Sequence, residues 1–192
     1  YSLSTAFDIS NATFVQNFSV ASQDLSPRGL VFNNDGTKMY VIGDQGNDVN
    51  EYNLSTAFDI STASFVQNFS VAAQETNPSS ISFNNDGTKM YVLGDAGNDV
   101  NEYNLSTAFD ISTASYVQVF SVHFQESYPS GMSFNNDGTK MFITGYSGDD
   151  VNEYSLSTAF DISNATFVQN FSVASQDLSP RGLVFNNDGT KM

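Results

Sequence analysis

Carboxylates on glycine-containing turns are the first residues in this sequence with chemistry to offer. Asp44 with Asp48, Asp95 with Asp99, and Asp149 with Asp150 crowd three short segments, GDQGND, GDAGND and GYSGDD. Clustered oxygen donors on such turns are what Ca²⁺ requires. The spacing lacks the EF-hand pattern, and hairpin geometry alone accounts for the glycines, so a calcium site and solvated turn carboxylates both stay open.

A second set is recognition chemistry. Arg28, His123, Phe124, Tyr128, Tyr146 and Arg181 are the distinctive side chains in otherwise repetitive loops. Aromatic platforms suit sugar faces, so a glycan or a surface protein is the ligand class they suggest. His123 is the single histidine and the chain has no cysteine, so one chain cannot assemble a zinc site. A Ser-His-Asp set is combinatorially available, but no nucleophile elbow accompanies it. No catalytic residue is assigned on these grounds, and the expectation is a protein that is not an enzyme. Glu51, Glu102 and Glu153 each precede a tyrosine, where an inward side chain would bond to a neighbouring unit. Lys38, Lys89, Lys140 and Lys191 follow a DGT turn and are expected to be solvent-facing edge charges.

The elements that must position these residues come from repetition. FNNDGTKM occurs at 32–39, 83–90, 134–141 and 185–192, so the period is 51 residues. Each unit carries four β-like runs separated by turn signals. In the second unit they are SSISF (79–83), MYVLG (90–94), VNEYNL (100–105) and SYVQVFSV (115–122). Asp86-Gly87 suits a tight hairpin between the first two runs, with glycine in the left-handed region. The longer STAFDISTA (106–114) joins the last two, with Phe109 and Ile111 expected to fold back as a staple. No helical period of useful length appears. A tandem four-stranded unit of this size predicts an all-β chain, a β-propeller of four-stranded antiparallel blades, about four per chain with the fourth incomplete or shared. One domain over 1–192 is expected, with full blades near 28–71, 79–122 and 130–173 and a partial blade from 1–20 and 181–192.

Composition narrows the partners. The net charge is −15, from 21 acidic and 6 basic residues, which disfavours nucleic acid. No apolar run is long enough to span a bilayer as a helix, so no membrane insertion is expected. Variation between copies falls in two connections, those between the fourth run and the next first run and those between the second and third. In an up-and-down blade these share one face of the disc, where loop-borne sites are usually built. Drift between recent duplicates explains the same pattern equally well.

The segment PSSISFNNDGTKMYVLG (78–94) resembles YVTN-type and related bacterial propeller repeats, and the whole unit with LSTAFDISTAS (54–64) resembles near-identical tandem repeats of bacterial and phage-encoded surface or tail-associated proteins. That resemblance implies a propeller fold and transfers no catalytic set. Together these points lead to the expectation of a non-catalytic module at the cell surface, outside the cell or on a virion, for recognition or adhesion. A purely structural or assembly repeat is the alternative, and an enzyme the third. Cofactors are expected to be none, or Ca²⁺. The phase of the repeat predicts a chain cut from, or completed by, something larger, as a shared-blade homodimer of eight blades or part of a longer array.

Overall fold

A computed structural model describes residues 1–192. Three complete four-stranded antiparallel sheets follow one another along the chain. The first blade is β3 (Pro27–Phe32), β4 (Lys38–Gly43), β5 (Asp48–Leu54) and β6 (Ala63–Ser70). The second is β7 (Pro78–Phe83), β8 (Lys89–Gly94), β9 (Asp99–Leu105) and β10 (Ala114–Ser121). The third is β11 (Pro129–Phe134), β12 (Lys140–Gly145), β13 (Asp150–Leu156) and β14 (Ala165–Ser172). In every sheet the strands pair in sequence order. Ahead of them, β1 (Ser2–Leu3) pairs only with β2 (Ala12–Thr13). The all-β propeller architecture expected from the period is therefore present. Strand pairing between 1–20 and 181–192 is not, so the two segments do not form a shared blade within one chain.

The repeated turn is built by its own side chains. The Asp86 carboxylate accepts from the Thr88 amide at 2.9 Å and from its hydroxyl at 2.5 Å, while Asn84 Oδ1 accepts from the Lys89 amide at 2.9 Å. Gly87 sits at φ 72°, where other residues are strained. A Cβ there would also collide with the Phe109 ring. Phe109, itself at φ 59°, is the staple that returns from the β9–β10 connection and packs on Phe83 with centroids 5.5 Å apart. The aspartate after it caps a one-turn 3₁₀ helix, Asp110 accepting from the Ser112 amide at 3.0 Å.

Blades bury their faces against each other. β8 is buried along nearly its whole length because it lies between two neighbours. The seam between the first two blades holds Tyr40, Ile42, Val92, Tyr103 and Ile111, all 0–1% exposed. The next seam repeats the pattern with Tyr91, Leu93, Ile143, Tyr154 and Ile162. Each such side chain contributes about 1.5–3 kcal/mol by leaving water.

A polar relay crosses each seam. Lys38 pairs with the buried Glu51 and donates to the Phe109 carbonyl of the next blade at 3.2 Å. Gln67 donates to Glu51 at 2.8 Å and to Asp110 of the next blade at 2.9 Å. Lys89, Glu102 and Gln118 do the same toward Phe160 and Asp161. Lys38 and Lys89, expected to be free edge charges, are thus seam residues. Their reach to the neighbouring blade is a property of the stack and is invisible within one repeat. Nearer the axis, Ser79 Oγ donates to the Pro129 carbonyl at 2.9 Å and Ser130 Oγ to that of Pro180 at 2.7 Å.

Candidate functional site at the mouth of the blade axis

The innermost strands β3, β7 and β11 lie side by side, and the loops at one end of them enclose a cavity of about 230 Å³. Its wall includes Arg28, Asn77, Ser79, Asp95, Tyr146 and Arg181. Asn77, Asp95 and Tyr146 stand in connections that vary between copies, and Arg28 and Ser79 at the starts of β3 and β7. Positions 28, 79, 130 and 181 are one repeat position, read Arg, Ser, Ser, Arg, and positions 44, 95 and 146 are another, read Asp, Asp, Tyr. The chain's two arginines, in a protein of net charge −15, both reach this cavity.

Asp95 begins the turn after β8. Its backbone amide donates to the Asn77 carbonyl at 3.0 Å, and its Oδ2 accepts from Asn77 Nδ2 at 2.9 Å. Its Oδ1 is buried without a hydrogen-bond partner. Burial raises the carboxyl above its ordinary value, the Glu75 charge adds to that, and Arg28 is close enough to pull the other way. A carboxylate in a cavity wall with a raised pKa is suited to accept a proton from water.

Arg28 is held by an ion pair with Asp44. Arg181 places its guanidinium 5.3 Å from the Tyr146 ring centroid, and Tyr128 stacks behind Tyr146 at 5.3 Å and 19°. Both cations line the cavity.

Beneath the wall, Glu75 is buried and accepts from the backbone amides of Asn77, Ala96 and Gly97 at 2.6, 3.2 and 3.1 Å. It clamps the loop carrying Asn77 to the turn carrying Asp95. Asp24 and Glu126 hold the equivalent turns. Sequence reasoning missed Asn77 and this clamp. The signal was present: positions 24, 75, 126 and 177 are acidic in loops that otherwise vary.

Of the six residues expected to bind a ligand, Arg28, Tyr146 and Arg181 meet at the cavity and Tyr128 supports it. His123 and Phe124 are not in its wall, and Phe124 is 92% exposed. The calcium expectation named Asp44, Asp48, Asp95, Asp99, Asp149 and Asp150. No group of three or more acidic or histidine side chains converges. The carboxylates point to separate partners instead. Asp48 accepts from Asn50 and Asn68, both at 2.7 Å, Asp99 from Asn101 at 2.7 Å, and Asp150 from Asn152 and Asn170, both at 2.6 Å. Asp44 is taken by Arg28, and Asp149 sits at φ 50° with a buried oxygen lacking a partner.

The family model described as "Lactonase, 7-bladed beta-propeller" matches residues 5–159. The chain belongs to this lactonase family. No curated protein matches the chain. Similar solved structures include a candidate 6-phosphogluconolactonase from Bacteroides fragilis, with TM-score 0.56 and 17% identity over 77% of this chain and 39% of that one. The periplasmic gluconolactonase of Pseudomonas aeruginosa gives TM-score 0.51 and 18% identity over 76% and 39%. Hydrazine synthase from Kuenenia stuttgartiensis gives TM-score 0.59 and 16% identity over 92% and 44%. At such identities the structural likeness is one of fold, and this lactonase-family chain spans about two fifths of the length of those proteins.

Membership overturns two expectations. A non-catalytic recognition or adhesion module, with a purely structural repeat as its alternative, gives way to an enzyme family. The expectation that the chain is not an enzyme falls with it. The cavity takes its residues from several repeats, so no single repeat displays the whole of it.

Proposed function

We propose that the chain forms part of a lactone-hydrolysing propeller whose reaction takes place in the cavity between Arg28, Asp95 and Arg181. The observation that carries this reading is the Asp95 carboxylate, held by Asn77, in a wall that also holds the chain's two arginines.

The Asp95 carboxylate removes a proton from water as the water oxygen attacks the lactone carbonyl carbon. The carbonyl π electrons move to oxygen, and a guanidinium from Arg28 or Arg181 stabilises that developing negative charge. Collapse of the tetrahedral intermediate breaks the ring C–O bond, and the proton held by Asp95 goes to the departing alkoxide. One lactone and one water become one hydroxy acid. The Tyr128–Tyr146 stack supplies an apolar wall beside the polar groups, as sugar-sized ligands require.

The support is family membership together with this geometry. Acid release from a glucono-1,5-lactone, followed by pH indicator, tests it. Hydrolysis above the buffer rate, largely lost in Asp95→Asn, is the expected result. A rate equal to buffer, or an Asp95→Asn variant as fast as the parent, overturns the reading.

A further inference from the structure

Each complete blade is pinned on its variable face by a buried acid, and the three pins are not equivalent. Asp24, Glu75 and Glu126 share one repeat position, and all three are 1–2% exposed. Glu75 accepts from the amides of Asn77, Ala96 and Gly97, and Glu126 from those of Tyr128, Ser147 and Gly148 at 2.7, 3.1 and 3.2 Å. The shorter Asp24 reaches two amides, those of Ser26 at 2.5 Å and Gly46 at 3.3 Å. Each carboxylate lies against the glycine that ends the second strand of its blade. A Cβ built on Gly43, Gly94 or Gly145 would collide with it.

The residue after that glycine is what differs. After Gly43 it is Asp44, which is taken by Arg28. After Gly145 it is Tyr146, which has no carboxylate to hold. After Gly94 it is Asp95, which alone combines a three-amide clamp with a carboxylate in the cavity wall. Glu75 grips the chain on both sides of this carboxylate. One contact is to the amide of Asn77, whose side chain donates to Asp95 Oδ2 at 2.9 Å. The others are to Ala96 and Gly97, the two residues that follow Asp95.

We propose that Glu75 is a positioning residue for Asp95, a role that rests on the hydrolytic reading above: it keeps the carboxylate and Asn77 in register and places a negative charge beside them. Charged groups reach this pair from every neighbouring element. Burial raises the Asp95 carboxyl most and the Glu75 charge second, while Arg28 at the start of β3 opposes them and Glu126 in the β10–β11 loop adds least. Asp99, at the start of β9, faces Glu75 as well. Arg181 completes the wall, and Asp44 is bound to Arg28. Among these groups Glu75 is the one that both holds the backbone around Asp95 and opposes its ionisation.

A carboxyl-carbon NMR titration of Asp95, assigned by its absence in Asp95→Asn, tests this beside pH–rate profiles on glucono-1,5-lactone. In Glu75→Gln the Asp95 titration and the acid limb of the profile are expected to move together to lower pH, with kcat reduced roughly tenfold by misplacement and KM little changed. Glu75→Asp keeps the charge but has only the reach seen at Asp24. Its acid limb is expected to stay with the parent's while kcat falls severalfold, and it carries the test if Glu75→Gln does not fold. Glu126→Gln removes the same kind of clamp beneath Tyr146 and is expected to move the Asp95 titration less than Glu75→Gln does. An Asp95 titration unmoved by Glu75→Gln, or moved as far by Glu126→Gln, overturns the proposal. So does a Glu75→Asp variant with the parent's kcat. Failure of the clamp and failure of the hydrolytic reading are separable. A shifted Asp95 titration in a protein that hydrolyses nothing removes only the hydrolytic reading. Hydrolysis lost in Asp95→Asn but indifferent to Glu75→Gln removes only the positioning role.

Discussion

The two faces of the blade stack are made of the same strands and differ in what their loops repeat. On one face lie the DGT turns and the LSTAFDIS connections, alike in every copy. There Gly87, Phe109 and Asp110 hold a blade together, and Lys89, Glu102 and Gln118 tie it to the next. On the other face lie the loops that vary, and the cavity draws Asn77, Asp95 and Tyr146 from them. Repetition marks residues every blade needs for closure against its neighbour. Departure from repetition marks places where one blade does something the others do not.

The sharpest way to break this contrast is at Asp95. Asp95→Asn keeps the size and the bond to Asn77 but cannot take a proton, so hydrolysis is expected to fall about 10²–10⁴-fold. A thermal melt should move little, since the residue closes no seam. Because burial raises this carboxyl, the parent's rate should drop as pH falls through a value above the ordinary 3.8, and a pH–rate profile reads that directly.

The opposite face should respond in stability instead. Glu102 is buried and holds Lys89 at 2.6 Å and Gln118 at 2.7 Å. Glu102→Ala leaves both donors without their acceptor and is expected to cost about 3 kcal/mol in urea unfolding. Gly87→Ala adds a Cβ at φ 72° against the Phe109 ring and should cost about 1–2 kcal/mol by the same assay.

The smallest effect belongs to Asp99, at the start of β9 on the variable face. Burial first and the Glu75 charge second push its carboxyl up to about 6 from the ordinary 3.8. The folded state therefore binds this proton more tightly than the unfolded chain. Stability from this group is full below about 4 and is lost as pH rises through about 6. Asp99→Asn should stabilise by about 1 kcal/mol near pH 8, after solvent screening, and by nothing near pH 4. Chemical denaturation at the two pH values checks it.

Much of the architecture could be read without coordinates, because local chemistry enforces it. An Asp-Gly pair flanked by Asn and Thr makes its own hairpin, and the 51-residue period says how often. Arg28, Tyr146 and Arg181 were also legible, as the residues that break the period. The setting of Asp95 was not. Its carboxylate stood beside Asp99 in sequence and suggested a shared cation, yet in space it turns to Asn77 while Asp99 turns to Asn101. Lys89 misled for a related reason: its contact with the Phe160 carbonyl lies 71 positions away.

Sequence alone determined the blade, its turns, its apolar seams and the face on which copies differ, since these depend on neighbours within one period. Tertiary structure decided which departures from the period meet. A cavity at the blade axis collects one to three residues from each of four repeats. Their convergence depends on the angle between successive blades, which seam packing sets and no single repeat encodes.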